Sequence, residues 1–171
     1  MSKLIRNLMV TGIALLLITS ACKIKYSFTG ASISPLVKTY TVYDFPNRAT
    51  LINPTLSDYF SDALRDKFTR QTNLDFLNDG GDLEFEGAIT AYDIKPISVT
   101  GDAVAAQSRL TVRIKVVFTN NIDPDNDFDT EFSAYADFNS DQIISDVEDQ
   151  LVEQIVKEIV DDIFNKSVAN W

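Results

Sequence analysis

Three long segments alternate apolar and polar residues with a period of two. Leu83, Phe85, Gly87, Ile89 and Ala91 share one phase, against Glu84, Glu86, Thr90 and Asp93 nearby. Leu110, Val112, Ile114, Val116 and Phe118 oppose Arg109, Thr111, Arg113 and Lys115. Phe128, Thr130, Phe132, Ala134 and Ala136 oppose Asp129, Glu131, Ser133 and Asp137. Successive side chains on a strand point to opposite faces, so each segment presents one apolar face. The three together predict an antiparallel sheet covered on one side only. Asn78-Asp79-Gly80-Gly81 is the turn that feeds the first of them.

Two segments have helical spacing instead. Leu56, Phe60, Ala63, Leu64 and Phe68 recur with it, and Asp58, Asp62, Arg65, Asp66 and Arg70 take the other faces. Asn53-Pro54 supplies a good cap and a suitable first residue, and the helix should stop near Gln71. Ser140 to about Val168 reads as one long amphipathic helix: Ile144, Val147, Leu151, Ile155, Ile159 and Ile163, with Val152, Val156, Val160 and Phe164 beside them, form a wide apolar stripe. That helix is the natural cover for the apolar side of the sheet. Leu36 to Phe45 is rich in β-branched and aromatic residues and predicts a further strand, broken by Phe45-Pro46-Asn47-Arg48. The run Asn73 to Leu77 is compatible with a short strand but too brief for the pattern to decide. The result is an α+β chain in the order strand, helix, three strands, helix.

Before this body lies a different kind of segment. Lys3 and Arg6 precede an uncharged apolar run from Leu8 to Ile18, followed by the small residues Thr19, Ser20 and Ala21. This is the order of a secretory signal. The apolar run is too short to span a bilayer comfortably, since about 20 residues are wanted, which disfavours a retained membrane helix. Cys22, the only cysteine, follows directly. The arrangement resembles a bacterial lipobox, with cleavage between Ala21 and Cys22 and acylation of Cys22. The dull alternative, a buried structural thiol, fits poorly with a cysteine at a cleavage site. Thr19 stands where Leu is usual, a loose spacing like that of Bacteroidetes lipoproteins. Residues 1–21 are thus a signal peptide, 22–34 a polar tether with Gly30 as its flexible point, and 35–171 one domain. No acidic run follows Cys22, which favours the periplasmic side of the outer membrane.

Composition then removes function classes. The 171 residues carry 15 basic and 25 acidic side chains and no histidine. One cysteine and no histidine exclude a Cys-cluster zinc site, an internal disulfide, and Ser-His-Asp or Cys-His catalysis. A pI near 4.3 speaks against a nucleic-acid partner, which needs a basic patch to displace phosphate counterions. Removing residues 1–21 removes Lys3 and Arg6 and no acid, so the remaining body is more acidic still. Such a body is not drawn onto anionic lipid, and the acyl chains must do the tethering.

Three local patterns invite a chemical reading. Gly80-Gly81-Asp82-Leu83-Glu84-Phe85 looks like the diguanylate cyclase signature with an extra Leu between the acids. That insertion would turn the second carboxylate to the other strand face, so a turn feeding a strand suffices. Asp123, Asp125, Asp127 and Asp129 alternate like a calcium loop, but Phe128 and Ala134 stand where an EF-hand wants Gly and Glu, and a solvated hairpin loop is the better reading. Arg109, Arg113 and Lys115 form a cationic row on the polar face of one strand. Two readings stay open for it: contact with phosphates of a glycolipid, or cross-strand pairing with Glu84, Glu86, Asp129 or Glu131. The abundance of neighbouring acids favours pairing. No arrangement of residues assembles a catalytic or metal site.

Taken in order, Tyr26 to Ile33, Asp44-Phe45-Pro46-Asn47-Arg48-Ala49, Asn53-Pro54-Thr55-Leu56, Gly80 to Gly87 and Asp161 to Trp171 resemble the LptE family of lipopolysaccharide-assembly lipoproteins, in its Bacteroidetes form. The resemblance spans nearly the whole chain after Cys22. It implies two helices packed on one face of a four-stranded, mostly antiparallel sheet (β-α-β-β-β-α). It further implies no enzymatic activity, no cofactor, and a place inside a large outer-membrane β-barrel, LptD, as a plug that aids barrel assembly and lipopolysaccharide transport. Some members also bind lipopolysaccharide through basic residues, for which Arg109, Arg113 and Lys115 are the candidates here. Two other functions compete. A free-standing periplasmic lipid or glycolipid carrier would need a sizeable apolar pocket, and the small positions Gly87, Ala91, Ala134 and Ala136 leave room for one. A carboxylate-only hydrolase would need two acids facing each other in a cleft.

Overall fold

The structure is a computed structural model that describes residues 33–97 and 106–169. Five strands and two helices follow in the order β1 (Thr39–Val42), α1 (Leu56–Gln71), β2 (Asp75–Phe76), β3 (Leu83–Ile97), β4 (Gln107–Asn120), β5 (Phe128–Asn139) and α2 (Ile144–Phe164). The strands form a single sheet in the spatial order β2-β1-β3-β4-β5. β3, β4 and β5 are antiparallel, whereas β1 runs parallel to both β2 and β3. The α+β class and the element order therefore hold, and the four-stranded, mostly antiparallel sheet is corrected to a five-stranded mixed one. The fifth strand is the brief Asp75–Phe76 segment, within the run the pattern left undecided.

β1 is shorter than the predicted Leu36–Phe45 because helix α1 takes over the backbone that leaves it. Ser61 Oγ accepts from the Phe45 N–H (3.3 Å), and Ser57 Oγ donates to the Phe45 carbonyl (2.7 Å). The chain then rejoins β3, with the Arg48 N–H on the Ile89 carbonyl and the Ile89 N–H on the Pro46 carbonyl. In the detour the Phe45 ring is pressed against Gly87. A Cβ built on Gly87 would lie 2.8 Å from that ring and 1.9 Å from the Lys115 carbonyl oxygen.

Helix α1 starts where Asn53 permits. The Asn53 side-chain oxygen accepts from the N–H groups of Thr55 (3.0 Å) and Leu56 (3.1 Å), satisfying donors that the first turn leaves open. Leu56, Phe60, Leu64 and Phe68, four residues apart, are its buried stripe. Helix α2 begins at Ile144 rather than Ser140, because Ser140–Gln142 form a turn with the Gln142 N–H on the Asn139 carbonyl. It buries Leu151, Val152, Ile155, Val156, Ile159, Val160, Ile163 and Phe164, and a π-helical turn over Asn165–Ala169 follows it.

The predicted faces of β4 and β5 hold throughout: Leu110, Val112, Ile114, Val116 and Phe118 are buried, as are Phe132, Ala134 and Ala136. β3 keeps its phase only to Ile89. There the register slips, so that Ile89 stands opposite Ile114 but Ala91 opposite Arg113. This is a β-bulge of one extra residue, Thr90, and it exchanges the faces of everything after it. Tyr92 and Ile94 take the core phase opposite Val112 and Leu110. Ala91, expected in the core phase, lies on the outer face under Arg113.

The rephased Tyr92 locks the layers together. Its hydroxyl donates to Glu148 Oε1 of α2 (2.5 Å), which also accepts from Asn53 Nδ2 at the start of α1 (2.9 Å). Burial and the adjacent Glu148 carboxylate raise the Tyr92 pKa well above that of a free phenol, so the hydroxyl remains a donor. At the other end of the core, Phe68 packs against Tyr40, Phe85 and Phe164 with ring centroids 5.4, 4.8 and 5.1 Å away, joining β1, β3 and both helices. Such ring pairs add about 0.5–1.5 kcal/mol each beyond area burial.

Two substitutions test this account. Gly87→Ala should destabilise by about 1–3 kcal/mol, because the added methyl meets a ring and a backbone carbonyl that cannot both give way. Tyr92→Phe should cost about 1.5–3 kcal/mol, the net worth of one hydrogen bond to a charged partner. Both are read as a fall in the urea midpoint at unchanged slope; an unshifted midpoint contradicts the contact in question.

Candidate functional site on the outer face of the sheet

The helices cover one face of the sheet and leave the other to β3, β4 and β5 side chains of alternating sign. Arg109 and Asp137 are direct cross-strand partners, joined through Nε–Oδ1 (2.7 Å) and Nη2–Oδ2 (3.0 Å). The Arg109 guanidinium also lies 3.6 Å from the Tyr135 ring centroid, a cation–π contact. Arg113 reaches Asp93 on β3 (3.6 Å) and Glu131 on β5 (4.0 Å), and Lys115 reaches Asp129 (3.0 Å). Thr90 donates its bulged hydroxyl to Glu131 (2.9 Å).

The sequence-predicted row Arg109, Arg113 and Lys115 is thus on one face, and each member has a carboxylate partner. Asp129 and Glu131 are partners as the pattern anticipated; Glu84 and Glu86 are not. Glu84 accepts instead from Tyr43 Oη (3.4 Å) and Asn121 Nδ2 (3.1 Å). The sequence reading did not name Asp137, Asp93 or Tyr135 as partners of these cations. Asp137 was visible as an outward β5 residue, but only the register places it opposite Arg109, and only the bulge turns Asp93 outward toward Arg113.

Charge is tuned locally. The hydrogen bonds from Arg109 hold the Asp137 carboxyl below the usual carboxylate range, and Asp137 in turn raises the Arg109 pKa. Asp82 is held low mainly by the Lys38 backbone N–H, which donates to its Oδ2 at 2.7 Å alongside the Thr39 N–H at 3.0 Å. This is the aspartate of the Gly80-Gly81-Asp82 motif: it clamps the start of β1 to the turn before β3, with Gly80 at φ +70°. The hydrogen bond to Asp79 pushes Tyr43 up to about 12. In the hairpin loop, Asp127 accepts from the Asn120 N–H (2.7 Å), and Asp123 accepts from Asn126 Nδ2 (2.8 Å). These aspartates hold the turn, and among the described residues no three potential ligands gather into a metal cluster.

The room suggested for a lipid pocket is otherwise employed. Phe45 crowds Gly87, Ala91 faces outward, and Ala134 and Ala136 are buried on the helix side. An open groove of about 340 Å³ does run between the helices, with Ala63, Val156 and Val160 along it and the Lys67–Asp161 ion pair (2.6 Å) across it. Cys22 and Ala21 lie outside the described residues. No helix among the described residues is long and apolar enough to cross a membrane.

Comparison with known proteins gives three kinds of result. A family model described as "LptE: Lipopolysaccharide-assembly" matches residues 37–167. No curated protein matches the sequence significantly. Among solved structures, a minor lipoprotein from Acinetobacter baumannii is similar with a TM-score of 0.50 at 11% identity, over 77% of this chain and 92% of that one. A hypothetical protein from Chlamydia trachomatis aligns with a TM-score of 0.49 at 12% identity, over 78% and 99%. Lipoprotein B from Nitrosomonas europaea aligns with 0.48 at 11%, over 75% and 80%. At such identity, the Acinetobacter baumannii match establishes a shared fold and nothing about function.

The depressed carboxyls predict a pH dependence. Asp82 and Asp137 titrate below their ordinary value near 3.8, so their stabilisation is present above that value and lost as pH falls through the lowered ones. Asp82→Asn/Asp137→Asn should therefore be less stable than the parent at neutral pH, with the gap closing as pH falls below 3.8. Urea midpoints across that range check it; parallel profiles would contradict the assignment.

Proposed function

The chain belongs to the LptE family of lipopolysaccharide-assembly proteins, and on that premise we propose that it is a non-catalytic outer-membrane lipoprotein that plugs an LptD-like β-barrel. In this reading the plug aids the barrel's assembly and the passage of lipopolysaccharide to the cell surface. Cleavage after Ala21 leaves Cys22 as an acylated N-terminus that holds the domain at the periplasmic face. One acyl chain binds a membrane marginally, whereas two or more anchor it stably. Tethering then raises the effective concentration of domain and barrel, so a modest interface gives lasting occupancy.

The observation that carries the plug reading is the outer face of β3–β5, where acids and cations in cross-strand pairs prevail. A face of that kind suits the polar interior of a barrel and would be a poor seat for hydrocarbon. Arg109, Arg113 and Lys115 are the residues that would meet lipopolysaccharide phosphates, each exchanging a carboxylate for the phosphate.

Extraction of native membranes in mild detergent through a tag placed beyond Trp171 tests the partner. A single large β-barrel protein recovered in near-stoichiometric amount is expected; recovery alone or with lipid only would overturn the plug. Cys22→Ala should leave a soluble or mislocalised precursor in fractionated cells. Ordinary membrane attachment of that variant would remove the lipoprotein claim.

A further inference from the structure

The two ends of the sheet are managed differently. At one end β2 is two residues long, which offers almost nothing for another chain to pair with. At the other, β5 runs for 12 residues without a proline or a basic side chain. Among the described residues β4 is its one strand neighbour, so the backbone groups on its other edge have no partner strand. A long edge with no proline, bulge or lysine, guarded by acids alone, is a template for strand addition that turns away acidic strands.

The charges say what kind of strand fits. Outward residues of β3 include Glu84, Glu86 and Asp93; those of β4, Arg109, Arg113 and Lys115; those of β5, Asp129, Glu131 and Asp137. The sign alternates from strand to strand, with Lys95 at the far end of β3 as the departure. Opposite charges across strands stabilise and like charges oppose, so the next strand in the series is cationic. A second copy docking β5 against β5 would set two acidic strands side by side. Inward positions of an added strand would extend the row Phe132, Ala134, Ala136 and Phe138, all buried, and so should be apolar. We propose that the β5 edge binds an extended segment of another protein, with Lys or Arg alternating with apolar residues.

The test uses the full chain in detergent and three ten-residue peptides: one alternating Lys and Val, one with the same residues in two blocks, and one alternating Glu and Val. The alternating Lys peptide should bind about tenfold more tightly than the block peptide, the scale of a few favourable cross-strand pairs, and the Glu peptide should not bind. Amide exchange along β5 should slow when it binds. Asp129→Lys/Glu131→Lys should reverse the preference toward the Glu peptide. Equal binding of the two Lys peptides, or binding without protection of β5, would mean charge adhesion alone and overturn the proposal. A chain already dimeric with its β5 amides protected would overturn it in favour of self-pairing.

Discussion

The extra residue at Thr90 decides which half of β3 belongs to which side of the molecule. Ahead of it, Leu83, Phe85 and Ile89 take the helix side; beyond it Tyr92 does, and Ile94 keeps the same phase at the exposed end of the strand. Without the offset, Tyr92 would emerge on the outer face and Glu148 and Asn53 would lose their shared partner. The same shift turns Asp93 outward, where it meets Arg113. One irregularity therefore supplies both the polar knot that ties the two helix starts to the sheet and a member of the charged surface. Its own hydroxyl is absorbed by Glu131 and the Arg113 carbonyl.

Much of this was legible in the chain because period-two alternation and helical spacing survive wherever one face is buried and the other wet. β4 and β5 obey that condition along their length, and α1 ends where its stripe ends. The misreadings share a cause: they depend on partners distant in sequence. β2 pairs with β1 over two residues only; its side chains are exposed, although the Phe76 ring meets that of Tyr40 (5.5 Å), and so short a run leaves no periodic signature. β1 is cut short by Ser57 and Ser61, whose hydroxyls satisfy the Phe45 backbone in place of a sheet neighbour. The bulge inserts Thr between two apolar residues that each fit either phase. Of the candidate surface, the cationic row could be read directly, whereas its partners required the register that closes only in the folded sheet.

The domain has two kinds of surface, with different energetic weight. On the helix side, aromatic packing around Phe68 and the apolar stripe of α2 supply stability in proportion to buried area. On the outer side, exposed ion pairs contribute little, because solvent screens them and holding long side chains costs entropy. A surface that adds so little to folding is free to be patterned for recognition. Complementary charge sets which partners are rejected and how fast the right one arrives more than it sets affinity.

This bears on how an acidic protein would meet an acidic lipid, as the proposed function requires. The cations on β4 are not idle: Arg109 spends two hydrogen bonds on Asp137 and its plane on Tyr135, and Lys115 is held by Asp129. A phosphate approaching Arg109 must displace a carboxylate that binds the guanidinium in the same two-pronged manner. The displaced Asp137 then stands unpaired beside a second anion. The exchange becomes favourable only if something else takes up the freed carboxylates, and a cationic strand along β5 would do so. Under the proposed function, contact with lipopolysaccharide and occupation of the β5 edge would be linked through Asp129, Glu131 and Asp137, since a partner that neutralises those acids would release the β4 cations for phosphate.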